Sequence, residues 1–531
     1  MSFSFEKNID NENNKCYNNQ DKKGGNRMKK ITNKKIHIGI IVLGIIFILF
    51  TAFHQDIWFD ESYSVAIARH DFADIWNITG HDVHPALYYW LLHIVGMLTN
   101  YSVLAYRLFS VLAVAIVGIL GYTHIRKDFG EKTGIFFSFL TYFLPVMCTY
   151  SQEIRMYAWS FLLVTLMAIY AYRFYKCVKE NTAKGKIKNL VIFGILSIAC
   201  CYIHYYALVT AAVVNFVLLV WLIRNRKIVE GGNQTLRNFI IVAVIQVLLY
   251  IPWLVYLLGQ VLHVGGGFWI KLEWPMTPVE VLSFQFRRQL DTIFTMDFYT
   301  ILSLIAAIAM YAYIGYRMYR AKKEKEEMKP GILSMSIYVA VITLMLLVSL
   351  ISPILFSRYL FVMTGLYIFA LAFFMAKEKK KWISAVVCGI TLLLAMVSNT
   401  INFQINYDQS NMKQIDYLKE NVQPDDILVY SNIGNGGVIA AFFPENKQYF
   451  YNGAYWDVEE AYKAYGPGME TIYSYEDILK DYHGRIWLID SEYMGLYEEF
   501  PKDGITALEG PIRFDTKYQD YIYNFMLLEK E

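Results

Sequence analysis

Long apolar segments run through the chain up to residue 400 and constrain what it can fold into. About 20 apolar residues are needed for a helix to cross a membrane, and we count eleven candidate segments: 37–54, 103–123, 133–150, 156–175, 189–206, 207–223, 238–258, 297–316, 331–351, 359–376 and 382–400. Of the 531 residues, 56% are hydrophobic and only 18% are charged, whereas soluble proteins carry about 25% charge. This composition excludes a disordered chain and argues against a soluble enzyme. We therefore expect an α-helical polytopic membrane protein with about eleven transmembrane helices over residues 37–400.

Basic residues predict how these segments are oriented, because Lys and Arg stay on the cytoplasmic side. The tail 1–36 holds nine basic and four acidic residues, so we place it inside and interpret the first segment as an uncleaved anchor. If successive spans then cross the membrane in alternating directions, the inside loops hold 23 basic residues and the outside loops hold six. We expect a multi-pass plasma-membrane protein, with a cytoplasmic N-terminus and residues 401–531 outside. The Asn- and Lys-rich N-terminus is typical of a bacterial protein.

One apolar segment is too short to be a span. His84–Leu98 has about 15 residues, and counting it as a span would turn every later basic loop outward. We predict a helix over 84–98 that lies at the outer membrane interface and packs on the bundle. Tyr88, Tyr89 and Trp90 suit the level of the lipid headgroups.

The C-terminal part, residues 401–531, differs from the rest in charge. It holds 10 basic and 23 acidic residues, a net charge of −13, and this distribution does not suggest a nucleic-acid partner. Short apolar runs at Ile427–Tyr430 and Ile486–Ile489, with helical spacing over Asn411–Asn421, predict an extracytoplasmic α/β domain with a partly parallel sheet. We interpret Gly434–Gly437 as a plain turn, with a phosphate loop as the alternative.

We expect this acidic domain to sit over the mouth of a site in the membrane part. Its aromatic residues would stack on sugar rings or form its core, and we favour the core for Tyr449, Tyr451, Tyr455 and Trp456.

The first outside loop, 54–84, is unusually acidic. It holds six carboxylates and a single base, Arg69, and it contains the adjacent pair Asp60 and Glu61. It ends in Asp82 and His84. Adjacent acids just outside a membrane can hold a cation, or one of them can act as a base on a hydroxyl; a merely solvated loop is the alternative.

A second charged cluster occupies the same membrane face. Glu153 and Arg155 lie in a very short outside turn, where ionisable groups are expensive and tend to be functional. The same rim receives further polar residues: Arg107, Tyr157, His204, Tyr205, Arg287, Arg288, Arg358 and Tyr359. The planar guanidinium suits phosphate, although a single arginine can also serve as a headgroup anchor. Arginines beside an apolar groove at this face indicate a site for a polyprenyl-phosphate lipid.

Four motifs in these regions resemble GT-C glycosyltransferases, in particular the bacterial family-39-like enzymes that are kin of protein O-mannosyltransferases and the lipid A aminoarabinose transferase. They are Phe59-Asp60-Glu61-Ser62-Tyr63, Asp82-Val83-His84-Pro85-Ala86-Leu87-Tyr88-Tyr89, Tyr106-Arg107-Leu108 and Tyr150-Ser151-Gln152-Glu153-Ile154-Arg155-Met156-Tyr157. The resemblance covers about 35–225 by motif and extends to 400 by topology and Ser357-Arg358-Tyr359. Ala86 stands where the family often has a second proline, and the tail 401–531 matches no family that we can name.

The resemblance implies a reaction in which a sugar moves from a polyprenyl-phosphate-linked donor to an acceptor hydroxyl with inversion at C1. The family's two acidic motifs fall on Asp60 and Glu153. We expect Asp60 to be the base, and Glu61 to position it or the acceptor or to bind a cation.

The remaining residues receive substrate-binding roles in this interpretation. Arg107, Arg155 and Arg358 would neutralise the lipid phosphate. His204 and Tyr205 would hydrogen-bond phosphate or sugar, and Asp82 and His84 would orient the sugar. Tyr157 and Tyr359 complete the set of substrate-binding residues.

We expect no obligatory cofactor. Mg²⁺ or Mn²⁺ is the alternative, and its ligands would be Asp60, Glu61, Asp82 and His84. The acceptor would be a glycan, a glycolipid or a protein. Two other functions stay open: a transporter or flippase of polyprenyl-linked sugars, and a non-catalytic membrane scaffold that binds a cell-wall polymer.

Overall fold

The fold is described from a computed structural model of the chain. The structure describes residues 33–265, 270–287, 297–324, 329–453, 464–465, 469–480, 482–492 and 495–531. Most of the predicted tail 1–36, together with Arg288, Tyr455 and Trp456, therefore lies outside the described residues.

The described chain is mostly helical. The helices are α1 (33–49), α2 (Phe59–Ile67), α3 (Phe72–His81), α4 (Leu87–Thr99), α5 (Val103–Leu120), α6 (Glu131–Phe143), α7 (Met147–Tyr150), α8 (Tyr157–Lys179), α9 (Ala183–Ile203), α10 (Tyr205–Asn225), α11 (Gly232–Gly265), α12 (Met276–Ser283), α13 (Phe298–Glu324), α14 (Lys329–Ser349), α15 (Thr364–Ala376), α16 (Lys381–Asn406), α17 (Lys413–Asn421), α18 (Ile433–Phe442), α19 (Glu476–Leu479) and α20 (Gly495–Glu499). Helix α5 continues through a π-helical turn to Phe129, and a 3₁₀ turn, Ser357–Met363, leads into α15.

Each of the eleven predicted spans falls on a helix. In the described part of the chain, nine helices are long and apolar enough to cross a membrane. The other two predicted spans correspond to α1 and to α6, which has only 13 residues. Helix α6 is shorter than predicted because Pro145 follows it, and the residue before a proline is driven into extended backbone, as Leu144 is here.

Burial separates the centre of the bundle from its edge. In the most apolar window of Ser357–Ala376, 83% of the residues are buried, whereas in Gly232–Leu262 only 6% are. Helix α15 therefore lies inside the bundle and α11 at its periphery.

Helix α4 matches the predicted short helix, but its tyrosines differ from the prediction. Tyr88 and Tyr89 are fully buried instead of lying at a headgroup surface. Trp90 stays partly exposed, donates a hydrogen bond to the carbonyl of Phe72 at 2.9 Å and stacks on Trp76. Tyr89 packs edge-on against Tyr63 of α2, and its hydroxyl accepts a hydrogen bond from Arg155 at 3.4 Å.

The C-terminal part contains a six-stranded sheet in the order β3-β2-β1-β4-β6-β5. Its strands are β1 (Ile427–Tyr430), β2 (Lys447–Tyr451), β3 (Met469–Ile472), β4 (Gly484–Asp490), β5 (Ile505–Asp515) and β6 (Ile522–Lys530). Strands β1 to β4 pair in parallel, while β6 pairs antiparallel with both β4 and β5. The predicted partly parallel α/β sheet is therefore confirmed. Tyr449 is buried and Tyr451 half-buried, as the core interpretation expects.

The glycine run after β1 is helical and is not the plain turn that we expected. Asn432 caps helix α18 by accepting the N–H groups of Gly434 at 2.8 Å and Asn435 at 3.3 Å, and such a cap favours a helix start. The run also allows close packing, since a Cβ on Gly437 would lie 2.7 Å from the ring of Tyr465. Helix α18 packs against α2 of the first loop, so the C-terminal domain and this loop lie on the same side of the bundle.

Candidate active site

The site forms around α2, whose first turn carries the two adjacent carboxylates. Successive side chains on a helix point about 100° apart, so the two acids face different surroundings. Glu61 is fully buried, while the side chain of Asp60 is 22% exposed.

Glu61 forms a closed ion pair with Arg107 of α5. The Nη1 and Nη2 atoms of Arg107 donate to Oε1 and Oε2 of Glu61 at 2.7 and 2.9 Å. Its remaining N–H groups donate to the carbonyls of His54, Asp56 and Gln152. All five guanidinium donors therefore have protein acceptors. Arg107 was expected to neutralise a phosphate, but the structure leaves it no free donor for one.

Asp60 lies in an open ion pair. Its Oδ2 accepts a hydrogen bond from Nη1 of Arg358 at 2.7 Å, and Nε of Arg155 approaches the same oxygen to 3.9 Å. Arg358 also lies over the rings of Trp58 and Phe356, at 5.1 and 4.6 Å from their centroids. Among the described residues Arg358 donates a hydrogen bond only to Asp60, so its other N–H groups are available to a ligand.

Arg155 is held by a chain of polar groups. Its Nη1 donates to the carbonyl of Asp60 at 3.0 Å, and its Nη2 lies 3.1 Å from Nε2 of His84. Nδ1 of His84 lies 2.8 Å from Oδ2 of Asp82. Because Arg155 can only donate, His84 accepts at Nε2 and carries its proton at Nδ1, towards Asp82. The predicted residues Asp82 and His84 thus orient Arg155, whose buried Nε has no hydrogen-bond partner in the described part of the chain.

Glu153 adds a third carboxyl group beside these arginines. It is 6% exposed, and its Oε2 is buried without a hydrogen-bond partner among the described residues. Burial raises the pKa of Glu153 to about 8, although the nearby Arg358 acts in the opposite direction. Glu153 is therefore mostly protonated at pH 7 and able to donate a hydrogen bond.

Aromatic and histidine side chains form one wall of the site. The ring of His204 lies 5.8 Å from that of Tyr157 and 5.2 Å from that of Tyr359. Nδ1 of His204 accepts the N–H of Tyr206, and burial holds the pKa of His204 well below its ordinary value. His204 is thus a neutral imidazole with its Nε2 proton directed away from its own backbone.

The hydroxyl of Tyr205 is bonded to residues that were not predicted as part of the site. Its hydroxyl donates to Gln260 and accepts from Trp253, both of α11. Gln260 in turn donates to the carbonyls of Thr79 and Gly80. Tyr205 therefore ties α10 to α11 and, through Gln260, to the end of α3.

The C-terminal domain contributes residues that sequence reasoning missed. The hydroxyls of Tyr518, Tyr521 and Tyr465 contact Glu61, the N–H of Phe59 and the hydroxyl of Ser62, at 3.3, 3.2 and 3.4 Å. No local signal marks these tyrosines, because the chain has 42 of them. These contacts place the domain over α2, where we expected it.

The four residues proposed as ligands of Mg²⁺ or Mn²⁺ are not arranged around a common point. Among the described residues, no group of three or more His, Cys, Asp or Glu side chains is positioned to hold a metal ion. Asp60 and Glu61 each face an arginine, and Asp82 faces His84. The positive charge at this site is supplied by guanidinium groups.

Two solved structures resemble the chain over most of its length. Both are of ArnT from Cupriavidus metallidurans, one in the apo state and one bound to undecaprenyl phosphate. The apo structure matches with a TM-score of 0.60 at 9% identity and the bound one with 0.56 at 11%; each comparison covers 92% of this chain and 97% of the other. No protein-family model and no curated protein matches the sequence.

These likenesses concern the fold, and they confirm the fold class expected from the motifs. The match spans 92% of this chain, so it includes the helical bundle and most of the C-terminal domain. The chain is therefore a multi-pass membrane protein with the ArnT-like GT-C fold.

Proposed function

We propose that this protein is a glycosyltransferase that moves a sugar from a polyprenyl-phosphate-linked donor to an acceptor hydroxyl. The observation that carries this proposal is the open ion pair, in which a partly exposed carboxylate lies between two arginines that are largely buried. A structure with the same fold, ArnT, has been solved with undecaprenyl phosphate bound, so a polyprenyl phosphate is a fitting ligand for the arginines here.

Arg358 and Arg155 are the proposed phosphate ligands. Their guanidinium groups are oriented by Trp58 and Phe356 and by His84, so little reorganisation is needed when a phosphate arrives. As the bond between C1 and the phosphate oxygen breaks, negative charge builds on the leaving phosphate, and both cations stabilise it. Protonated Glu153 can add a hydrogen bond to the same group.

Asp60 is the proposed base. In this scheme the acceptor oxygen forms a bond to C1 from the face opposite the phosphate, and the configuration inverts. Its proton passes to Asp60, and the polyprenyl phosphate leaves with the electron pair. A phosphate that engages Arg358 competes with Asp60 for this guanidinium, which frees the carboxylate to accept the proton of the acceptor.

The other predicted residues receive supporting roles. Glu61 positions α2 through Arg107 and does not touch the substrate. Tyr157, His204 and Tyr359 form the wall that would contact the sugar, and the hydroxyl and imidazole groups there suit hydrogen bonds to sugar hydroxyls. We expect a chelator to leave the rate unchanged, since the arginines do the work that Mg²⁺ or Mn²⁺ would do.

The proposed setting is the outer face of a bacterial plasma membrane, with the N-terminus in the cytoplasm. The distribution of Lys and Arg supports this orientation, and the contact between α18 and α2 agrees with a C-terminal domain on the same face as the first loop. The acceptor would be a glycan, a glycolipid or a protein at that face.

The test compares wild type, Asp60→Asn and a matched control, Asp74→Asn, in detergent. Asp74 is an exposed acid of the same loop. Each protein is incubated with polyprenyl-phosphate-linked hexoses and pentoses and an envelope fraction, and release of free polyprenyl phosphate is measured. We expect Asp60→Asn to be slower by about 10²–10⁴-fold and Asp74→Asn to equal wild type. Equal release by all three proteins would remove Asp60 from catalysis, and binding of donors without any release would favour a transporter.

A further inference from the structure

The turn between β5 and β6, residues 516–521, is a compact unit that we call the hairpin tip. Thr516 closes it, because its N–H donates to the carbonyl of Tyr521 at 2.9 Å and its hydroxyl lies 3.2 Å from the same oxygen. Gln519 and Asp520 at its apex have φ values of 62° and 51°. Non-glycine residues adopt this left-handed conformation at a cost of about 1–3 kcal/mol each, and such residues cluster at functional sites.

The hairpin tip is anchored to the end of the last membrane helix. Oδ1 of Asn411 accepts the N–H groups of both Lys517 and Tyr518 at 2.9 Å. Nδ2 of Asn411 donates to the carbonyl of Ile405 in α16 at 2.7 Å. Asn411 is buried, so the position of the hairpin tip is set by the membrane bundle as well as by the sheet.

Two tyrosines of the hairpin tip reach α2 on either side of Asp60. The hydroxyl of Tyr518 donates to Oε2 of Glu61 at 3.3 Å, and the hydroxyl of Tyr521 accepts the N–H of Phe59 at 3.2 Å. Tyr518 also packs its ring against His54, with centroids 5.3 Å apart. The two hydroxyls thus contact the residue before Asp60 and the residue after it.

These contacts add to the bonds that fix α2 to the membrane bundle, which are the Glu61–Arg107 pair and the hydrogen bond from Arg155 to the carbonyl of Asp60. The first N–H groups of a helix have no partner within the helix, and Tyr521 satisfies the one on Phe59. Glu61 already holds Arg107 through both oxygens, and Tyr518 supplies a further donor to Oε2. Both neighbours of Asp60 in the chain are therefore held by groups that belong to the C-terminal domain.

We infer that the hairpin tip is part of the active site and that Tyr518 and Tyr521 are positioning residues for Asp60. This inference rests on the proposed function, because it assigns the tyrosines to the reaction that Asp60 would catalyse. Docking of the domain has its own contacts, the packing of α18 on α2 and the hydrogen bond between His70 and the carbonyl of Ala464. The two hydroxyls serve the geometry of the base.

The kinetic test uses Tyr518→Phe, Tyr521→Phe and the double variant, each of which removes a hydroxyl and keeps the ring. The matched control is Tyr430→Phe, which removes a buried hydroxyl of the same domain that bonds to Gln448 at 2.8 Å, away from α2. We expect kcat of the double variant to fall by about 10- to 100-fold, since small misplacements of a catalytic group have effects of this size. The donor KM should stay unchanged, and Tm should match that of Tyr430→Phe. A kcat equal to that of the control, or a fall in kcat that only follows a loss of Tm, would overturn the inference.

A second measurement does not depend on activity. Hydrogen–deuterium exchange of the backbone amides in residues 59–62 should be faster in the double variant than in wild type or Tyr430→Phe. If wild type releases polyprenyl phosphate from no donor, the proposed function fails, while faster exchange would still show that the hairpin tip holds α2. Unchanged exchange in α2 would remove the positioning role whatever the activity.

Discussion

Asp60 and Glu61 are neighbours in the chain, yet their ion pairs differ in burial and in how many arginine donors are already used. Glu61 is fully buried, and its arginine has an acceptor for every N–H group. Asp60 is partly exposed, and the two arginines beside it retain donors that the described residues do not use. We call the Glu61–Arg107 pair the closed region. Asp60 with Arg155 and Arg358 is the open region, because it can still bind a ligand.

This difference separates a structural role from a chemical one within a single turn of helix. A buried pair with all of its hydrogen bonds made cannot take up a substrate without breaking, whereas an incomplete pair gains partners when a substrate binds. The number of unused donors therefore says more about function than the presence of a carboxylate and an arginine.

The largest expected effect tests the closed region. Arg107→Ala leaves the Glu61 carboxylate buried without its cation, which typically costs about 3–5 kcal/mol. We expect a large loss of Tm and of folded protein on size exclusion in detergent. Arg107→Lys keeps the charge but not the two-pronged geometry and should fall in between. An Arg107→Ala protein as stable as wild type would contradict the structural role.

The next effect tests the open region. Arg358→Gln should lower kcat by about 10²–10³-fold, the usual result of losing one charge-stabilising donor. Its Tm should fall less than that of Arg107→Ala, because Asp60 is partly exposed and Arg155 stays beside it after the substitution. Arg513→Gln is the control, since its pair with Asp515 is exposed and none of the hydrogen bonds described for Arg513 reaches α2. A strong loss of Tm with normal turnover would reverse the comparison.

The pH dependence of stability tests the protonation state of Glu153, the third carboxyl group beside the open region. Burial raises its pKa from an ordinary value of 4.5 to about 8, so the folded protein binds the proton more tightly than the unfolded chain. This contribution to stability is present below pH 4.5 and is lost as the pH rises towards 8. Glu153→Gln mimics the protonated acid, so Tm of wild type relative to this variant should fall between pH 5 and pH 9. Parallel Tm profiles would show that Glu153 is ionised in the folded protein.

The smallest expected effect is on the hairpin tip, which contacts Glu61 of the closed region. Asp520→Gly relieves a left-handed conformation at the apex of the hairpin tip and should stabilise the protein by about 1 kcal/mol. Asp503→Gly is the control at an exposed turn residue without a positive φ, and it should lower stability slightly because glycine makes the unfolded chain more flexible. Thermal unfolding of both variants measures the difference, and equal shifts would mean that the apex carries no strain.

Local patterns predicted much of the fold. The apolar segments identified every long helix, and the run Ile427–Tyr430 was predicted as a strand with the bounds that the structure shows. Strands β2, β3, β5 and β6 were not predicted. For β5 the reason is that it is mostly exposed and lacks a continuous apolar run. The helical glycine run was missed because its start depends on a side-chain cap by Asn432, which a glycine count does not reveal.

The residues of the site could be selected from the sequence because charged residues are scarce in this chain. Asp60, Arg155 and Arg358 stand out because they interrupt a hydrophobic chain, and the structure brings them together. The separation of Arg107 from them was not predictable, since it depends on which face of α5 meets Glu61. The partners of Tyr205 were not predictable for a similar reason, since its hydroxyl bonds to residues of α11 that lie more than 40 positions further along the chain.

The hydrogen bond between Tyr518 and Glu61 joins residues that are 457 positions apart, and this separation has a consequence for biogenesis. At typical rates of about 5–20 residues per second, roughly 20 to 90 s pass between the synthesis of the two. A nascent chain can pair Glu61 with Arg107 soon after both have been translocated, but it acquires the last support of α2 only when the final hairpin emerges. Under the proposed function, an unfinished polypeptide is therefore inserted and folded in part but still lacks the two hydroxyls that position Asp60, so full activity follows the synthesis of the hairpin tip.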